Sequence, residues 1–252
     1  DTSTAVLVNT PTNPLAGSYT INPSLPASPT NFSAIADFAD ALSCVGVSGP
    51  VTATVAPNST FVGQVNFGAI PGASDTNRIV INGQGSIITQ APSPMVTFNN
   101  TAYVTLDSLK VMGGANFGGF GIHLTNNTRF VTIRACTVEV STTATGTGVA
   151  GIVASGSQTS ATQAGNNANN VTLINNTILG GYYSIIFIGN ASYQNCYGNR
   201  IERNVCRDFY LYGIYFNNAD SAVVLGNDIN RITRTTISTF YGFYMATSRN
   251  MK

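Results

Sequence analysis

Four ionisable residues in this sequence, Asp107, Arg134, Glu139 and Glu202, are of the types that could cleave a glycosidic bond. Hydrolysis needs two carboxylates roughly 5 to 9.5 Å apart across that bond. Calcium-dependent elimination needs clustered carboxylates for the metal and a neighbouring Arg or Lys that takes a proton. The strand alternation described below places Asp107, Arg134 and Glu202 in one outward column and Glu139 in another nearby. The alternative is a surface ladder of opposite charges, in which each pair adds little stability.

A binding surface is predicted in the C-terminal third, where tyrosines are concentrated. Tyr215 and Tyr244 fall at outward positions, and a flat platform of aromatic rings would suit sugar rings. His123, the only histidine, is expected to point outward in the same column, with no neighbouring carboxylate or nucleophile in the sequence. We therefore predict Tyr215, Tyr244 and His123 as ligand-binding residues. Aromatic rings that only cover their own coils are the alternative.

The cysteines do not predict a metal site. Cys44, Cys136, Cys196 and Cys206 form no C-x-x-C pair and have no histidine nearby, which excludes the usual zinc and thioredoxin-like patterns. One disulfide, two disulfides and buried free thiols all stay open as alternatives.

These candidate residues belong to a repeat of short strands. Five segments align so that their last residues form one column and the position two residues later is always apolar: 104–109, 131–136, 171–176, 200–204 and 223–227. A second column of mostly Gly-Ile pairs recurs in step with it: 121–122, 151–152, 184–185, 213–214 and 242–243. Short strands with no helix inside the repeat predict an all-β parallel β-helix. Asn176, Asn204 and Asn227 would then bond to one another along the axis, about 4.8 Å apart.

Two other segments interrupt this pattern. Residues 31–42 carry apolar side chains at helical spacing, with Thr30 or Asn31 as the predicted N-cap and Gly46 beyond the end. We expect this helix to cover the first coil. The apolar side chains expected on that end are Phe32, Ile35, Phe38 and Leu42. Residues 155–170 lengthen one coil by about 13 residues, as loops that carry specificity or act as spacers often do.

The predicted organisation is a single structural domain in two parts. Prolines interrupt the first thirty residues, so residues 1–48 are expected to be an extended lead-in followed by the capping helix, and residues 49–252 to be β-helix coils. The last coil stops without a cap. We therefore expect either continuation in a longer chain or another molecule on this edge, including end-to-end assembly into fibres.

The composition agrees with a stacked-coil protein. Only 8% of the 252 residues are charged, the net charge is +1 and the mean hydropathy is +0.14. No basic patch points to nucleic acid, and no apolar run approaches the ~18 residues of a transmembrane helix. Stacking explains the low charge, because a charge would otherwise face its like in the next coil. Asp1 followed by Ser/Thr/Pro-rich sequence is what a secreted chain shows after removal of a leader, so an extracellular or cell-surface location is expected.

Several segments resemble a known family: residues 17–23 (GSYTINP), 31–42 (NFSAIADFADAL), 49–57 (GPVTATVAP) and 70–73 (IPGA). They resemble the entry module of large secreted right-handed β-helix proteins of Bacteroidota type, and the later coils are similar to the pectate-lyase-like superfamily. The resemblance implies a right-handed solenoid. That superfamily includes polysaccharide lyases, glycoside hydrolases and non-enzymatic adhesins or surface fibres, so the fold does not select a function. Its hydrolases usually carry an adjacent Asp pair, which this sequence lacks.

These observations together predict a non-enzymatic, secreted or cell-surface module with a structural, adhesive or glycan-binding role. A polysaccharide or surface glycan is the expected partner. The alternative is a polysaccharide lyase or glycoside hydrolase that acts on an acidic polysaccharide through the four ionisable residues named first. No cofactor is predicted for the module, and Ca²⁺ would be needed only by the lyase alternative.

Overall fold

The computed structural model describes residues 11–192, 195–236 and 239–252. In this part of the chain there is one helix, α1, at Ile35–Val45. The strands are β1 Leu15–Ile21, β2 Asn31–Phe32, β3 Val47–Val55, β4 Thr60–Val62, β5 Val65–Phe67, β6 Ile79–Asn82, β7 Ile87–Thr89, β8 Val96–Asn99, β9 Val104–Asp107, β10 Lys110–Met112, β11 Phe120–Thr125, β12 Thr128–Arg129, β13 Thr132–Arg134, β14 Thr137–Glu139, β15 Ala150–Ala154, β16 Ala168–Asn169, β17 Thr172–Ile174, β18 Thr177–Leu179, β19 Tyr183–Ile188, β20 Arg200–Glu202, β21 Val205–Arg207, β22 Tyr212–Asn217, β23 Val223–Leu225, β24 Asp228–Asn230 and β25 Tyr241–Ala246.

Three long parallel sheets contain nearly all of these strands. Sheet A has the order β2-β1-β3-β6-β9-β13-β17-β20-β23, sheet B the order β4-β7-β10-β14-β18-β21-β24, and sheet C the order β5-β8-β11-β15-β19-β22-β25. The chain visits A, B and C in turn, so each coil adds one strand to each sheet. This connectivity confirms the predicted parallel β-helix. A further two-stranded parallel sheet pairs β12 with β16.

The strand registers confirm both sequence columns. The first runs Val111, Val138, Ile178, Cys206 and Ile229. The second runs Ile122, Ile152, Ile185, Ile214 and Phe243. The glycines of the second column lie within strands of sheet C, and a Cβ on Gly213 would overlap the side chain of Ile229 in sheet B. The small residue is thus required by close approach to the next sheet.

The space between the sheets is filled by these inward columns. Their members are almost all fully buried, and Phe67 stacks on Phe98 with ring centroids 5.0 Å apart. Each large apolar side chain buried in this way contributes about 1.5–3 kcal/mol. At the last coil the same columns become exposed, because Phe243 and Met245 are 43% and 45% accessible.

The predicted asparagine ladder is present inside the stack. Asn176 Nδ2 donates to Asn204 Oδ1 at 2.9 Å, and Asn204 Nδ2 donates to Asn227 Oδ1 at 3.0 Å. Asparagine has a second use that the sequence pattern did not reveal. Many of the turns between sheets place a residue at positive φ, a conformation that asparagine tolerates better than most residues. The asparagines there are Asn58, Asn100, Asn126, Asn127, Asn170, Asn175, Asn218 and Asn250.

The N-terminal region differs in part from the expectation. α1 begins at Ile35 rather than at residue 31, because Asn31 and Phe32 pair with β1 as strand β2. Ala34 occupies the N-cap position without a side-chain hydrogen bond, so the predicted caps Thr30 and Asn31 were wrong. Gly46 does end the helix, and its N–H donates to the carbonyl of Leu42.

Residues 1–10 of the predicted extended lead-in lie outside the described residues, and in the rest of it β1 pairs with β3 in sheet A. α1 packs against β1, β2 and β5. Ile35, Phe38 and Leu42 on that face of the helix are completely buried. No helix of the described residues is long and apolar enough to cross a membrane.

Candidate functional site

Asp107 and Arg134 are in contact on the outer face of sheet A. They are register neighbours on β9 and β13, and Asp107 Oδ2 accepts from Arg134 Nη2 at 2.7 Å and Nε at 2.8 Å. The Arg134 side chain is half exposed. This geometry matches a cross-coil charge pair, which in such an exposed setting contributes about 0–1 kcal/mol.

The other two ionisable candidates do not join that pair. Ile174 lies between Arg134 and Glu202 in the register, so these two positions are roughly 10 Å apart along the axis. Glu202 instead pairs with Arg200, and with Arg203 at 3.8 Å. Glu139 lies in sheet B, where Leu179 separates it from Arg207. Within the described residues no three His, Cys, Asp or Glu side chains are grouped so as to hold a metal ion.

His123 is buried rather than exposed, so the expectation of an outward surface residue was wrong. It lies on the outer face of sheet C, but residues 155–170 fold over that face. His123 Nε2 is 2.9 Å from the carbonyl oxygen of Ser155, and its ring packs on Phe120. Burial lowers its pKa below 6.5, which favours the neutral imidazole. Its Nδ1 has no hydrogen-bond partner in the described structure.

Seven tyrosines lie together on the outer face of sheet C and the adjoining turns of the last coils. We call them the tyrosine surface: Tyr182, Tyr183, Tyr210, Tyr212, Tyr215, Tyr241 and Tyr244. Within it, Tyr183, Tyr212 and Tyr241 stack on successive strands, with centroids 5.3 Å apart and planes within 15° of parallel. Tyr215 and Tyr244 form a second stack at 5.3 Å and 15°. The structure therefore brings together the two tyrosines predicted as binding residues.

The rings do not form one flat platform. Neighbouring rings of the two stacks meet at steep angles, as with Tyr212 and Tyr215 at 75°. Within each stack, planes in contact at about 3.5 Å with centroids at 5.3 Å must be offset by about 4 Å. The rings thus overlap only in part, and those near the last coil leave part of one face toward solvent. Exposure rises along the axis, from 4% at Tyr183 to 42% at Tyr241.

Four members of the tyrosine surface have raised pKa values, which favour the protonated, uncharged phenol. Burial, and then the neighbouring tyrosines, raise the pKa of Tyr182, Tyr183 and Tyr212 above the ordinary value of 10.0, and the same holds for Tyr215. Its register columns contain no Asp, Glu, Lys or Arg. The column that includes the second stack runs Thr97, His123, Val153, Ile186, Tyr215 and Tyr244. These columns can therefore offer hydroxyl donors and acceptors and partial ring faces, but no charge.

Sequence reasoning did not assign the first stack to the site. Its signal was nevertheless present, since Tyr183, Tyr212 and Tyr241 each directly precede the small residue of the Gly-Ile column. The sequence pattern also did not indicate Arg234 and Asp208, which lie at the border of this surface and belong to no repeat column.

All four cysteines are free thiols. Cys136, Cys196 and Cys206 are buried, and burial raises the pKa of each thiol to about 12. Buried thiols with such pKa values are unreactive packing groups. The open question of disulfide pairing is thereby answered in favour of free thiols.

No family model and no curated protein matches the sequence. The structure is similar to a crystal structure of pectate lyase Pel9A, with a TM-score of 0.49 and 13% identity over 89% of this chain. The match spans 57% of the length of that lyase. It is also similar to an alginate lyase from Paenibacillus sp. str. FPU-7, with a TM-score of 0.36 and 12% identity, covering 85% of this chain and 97% of that one. The fold assignment rests on the strand registers themselves.

Proposed function

We propose that this chain binds an uncharged polysaccharide along the tyrosine surface. The observation that carries the proposal is the pair of offset tyrosine stacks on adjoining columns of sheet C. Sugar rings present apolar C–H faces and many hydroxyl groups. Partly exposed aromatic faces bordered by phenol hydroxyls complement both features. The regular spacing of coils suits a ligand that is itself a repeating chain.

The lack of charge favours a neutral ligand. Specific recognition of a carboxylate relies on Arg or Lys at close range. The columns of the tyrosine surface contain neither, and Arg234 at its border is only 8% exposed, with its guanidinium donating to backbone carbonyls. An acidic polysaccharide lying along these columns would lose hydration without gaining an exposed counter-charge from them.

The proposal also covers the organisation of the chain into a cap and ligand-bearing coils. Residues 1–48 would close the N-terminal end, with α1 as the cap, and residues 49–252 would form the ligand-bearing coils. Contacts of α1 with β1, β2 and β5 support the capping role.

We expect the solenoid to have the right-handed sense that nearly all parallel crossover connections take. A secreted or cell-surface adhesive module, similar to the Bacteroidota-type proteins, is the setting we propose.

Affinity electrophoresis tests the ligand class. Gels would contain an uncharged polysaccharide (xyloglucan or galactomannan) or an acidic one (polygalacturonate or alginate). We expect retardation by an uncharged polysaccharide, loss of it in Tyr215→Ala/Tyr244→Ala, and retention in Tyr197→Ala, an exposed tyrosine outside the surface. The proposal would be overturned if only the acidic gels retarded the protein, or if no gel did. It would also be overturned if the double variant were retarded as strongly as the parent protein.

The same samples test the enzymatic alternative, cleavage of an acidic polysaccharide with Ca²⁺ as cofactor. Similarity to lyases of pectate and alginate makes those two polymers the relevant substrates. Release of unsaturated or reducing ends with Ca²⁺ present, and its loss in Asp107→Asn, would favour that alternative over the binding module.

A further inference from the structure

Arg234 is a nearly buried arginine at the border of the tyrosine surface. It is 8% exposed, and its guanidinium donates to three backbone carbonyl oxygens. Nη2 donates to Ala144 at 2.6 Å, Nη1 to Asp208 at 3.0 Å and Nε to Thr236 at 3.0 Å. One planar group therefore ties together three separate turns of the solenoid.

The carboxylate of Asp208 completes this connection. It accepts from the Thr233 N–H at 2.8 Å, the Thr233 hydroxyl at 2.7 Å and the Arg234 N–H at 3.0 Å. Burial alone would raise the pKa of Asp208, but these hydrogen bonds outweigh it and hold the pKa below its usual value of 3.8. We call Asp208, Thr233 and Arg234, with the Ala144 carbonyl, the clasp.

The clasp touches the tyrosine surface through Tyr210. The guanidinium carbon of Arg234 lies over the Tyr210 ring, 5.0 Å from its centroid. Tyr210 contacts Tyr182 at 5.6 Å, and Tyr182 contacts Tyr212 of the first stack at 6.0 Å. A continuous row of ring contacts thus runs from the clasp into the stacks.

Arginine is specific to this arrangement. Burying a guanidinium is costly unless its donors are satisfied, and a lysine could not reach three carbonyls in one plane while covering a ring. Holding the turn together would not by itself require a buried guanidinium. The geometry therefore favours a role in fixing the ring beneath it.

We propose that Arg234 is a positioning residue that holds Tyr210 and Tyr182 in place, and so sets the shape of the tyrosine surface for its ligand. The part concerning affinity rests on the proposed polysaccharide binding. The part concerning ring position does not, and it is measured without ligand.

The test compares Arg234→Lys with Arg203→Lys, in which the replaced arginine lies in the turn between β20 and β21 with its side chain 56% exposed and serves as the control. Near-ultraviolet circular dichroism reports on tyrosine packing, far-ultraviolet dichroism on the fold, and affinity electrophoresis on xyloglucan binding. For Arg234→Lys we expect an altered tyrosine signal, an unchanged far-ultraviolet spectrum and affinity roughly three- to tenfold weaker. The control should match the parent protein.

An unchanged tyrosine signal in Arg234→Lys would overturn the positioning role, whether or not any polysaccharide binds. An altered signal with unchanged affinity in a parent protein that binds would overturn the effect on the ligand. If no polysaccharide retards even the parent protein, the proposed function fails, while the tyrosine signal still decides the positioning role. Should Arg234→Lys not fold, Thr233→Val removes one hydroxyl bond of the clasp at nearly constant volume and is judged by the same readouts.

Discussion

Asn204 and Asn227 lie on neighbouring coils and are joined by a hydrogen bond of 3.0 Å from Nδ2 to Oδ1. The same Asn204 amide donates to the carbonyl of Leu173, and its Oδ1 accepts from both the backbone and the side chain of Asn176. The side chains of Asn176 and Asn204 are buried inside the stack, where water cannot replace a lost partner, whereas Asn227 is half-buried at the last coil. The ladder therefore links the coils as firmly as their strands do.

Replacing the central asparagine should be severe. Asn204→Ala removes four hydrogen bonds and leaves buried partners on Asn176 and Leu173 unsatisfied, and each unsatisfied buried group costs about 1–3 kcal/mol. We expect a loss of roughly 2–5 kcal/mol in unfolding free energy by denaturant titration. Asn99→Ala, which breaks the exposed hydrogen bond from Asn126 at a residue of ordinary negative φ, is the control and should cost under about 1 kcal/mol. Equal losses in the two variants would contradict the ladder's role.

Gly213 should not tolerate even alanine. The added Cβ would overlap Ile229 and lie 3.3 Å from Phe209, so strands β22 and β24 must shift. Overpacking of this kind costs about 1–3 kcal/mol. At Gly118 an added Cβ meets nothing within 4 Å, which makes Gly118→Ala the matched control. Thermal unfolding followed by circular dichroism compares them, and a melting temperature equal to that of the control would refute the close-packing explanation.

Periodicity predicted the fold because the inward positions of a solenoid recur once per coil and mostly require apolar side chains. The Val138 and Ile152 columns are apolar for that reason alone, and registers between strands follow from aligning them. The separation of Arg134 from Glu202 was also readable, since Ile174 stands between them in the same alignment.

The sequence predicted less of the candidate site than of the fold. Burial of His123 depends on the path of residues 155–170, which no periodicity encodes. The tilt of Tyr215 against Tyr212 depends on ring rotation under mutual packing. Arg234 reaches Ala144 from 90 residues away, a contact that belongs to no repeat.

Burial of His123 predicts a pH-dependent stability. The pKa of His123 is lowered in the folded protein, so the unfolded chain binds the proton more readily. The corresponding stabilisation is fully present above about pH 6.5 and is lost as the pH falls toward the folded-state pKa. The slope can reach about 1.4 kcal/mol per pH unit. His123→Val, which copies the neighbouring Val153, should be less destabilised between about pH 7.5 and about pH 5 than the parent protein. Denaturant titrations at both pH values measure this, and identical losses in both proteins would exclude the effect.

Asp107 and Arg134 should behave as a surface pair. Arg134→Gln is expected to lower the unfolding free energy by less than about 1 kcal/mol, because the pair is half exposed. It should leave polysaccharide binding unchanged, since the pair lies on sheet A and the tyrosine surface on sheet C. A large loss of xyloglucan affinity in Arg134→Gln, with the fold intact by circular dichroism, would move the binding site to sheet A.

Ring faces and hydroxyls of the tyrosine surface can be separated by conservative substitution. Tyr215→Phe/Tyr244→Phe keeps the stacked rings but removes two hydroxyls, whereas Tyr215→Ala/Tyr244→Ala removes both features. Because a hydrogen bond contributes about 0.5–1.5 kcal/mol, the Phe variant should bind xyloglucan roughly five- to a hundredfold more weakly, and the Ala variant more weakly still. Tyr103→Phe, in a stacked pair with Phe130 away from this surface, is the control and should bind as the parent does. If the Phe variant retained full affinity while the Ala variant lost it, the ligand would contact ring faces alone, and the hydroxyl row would have no part in recognition.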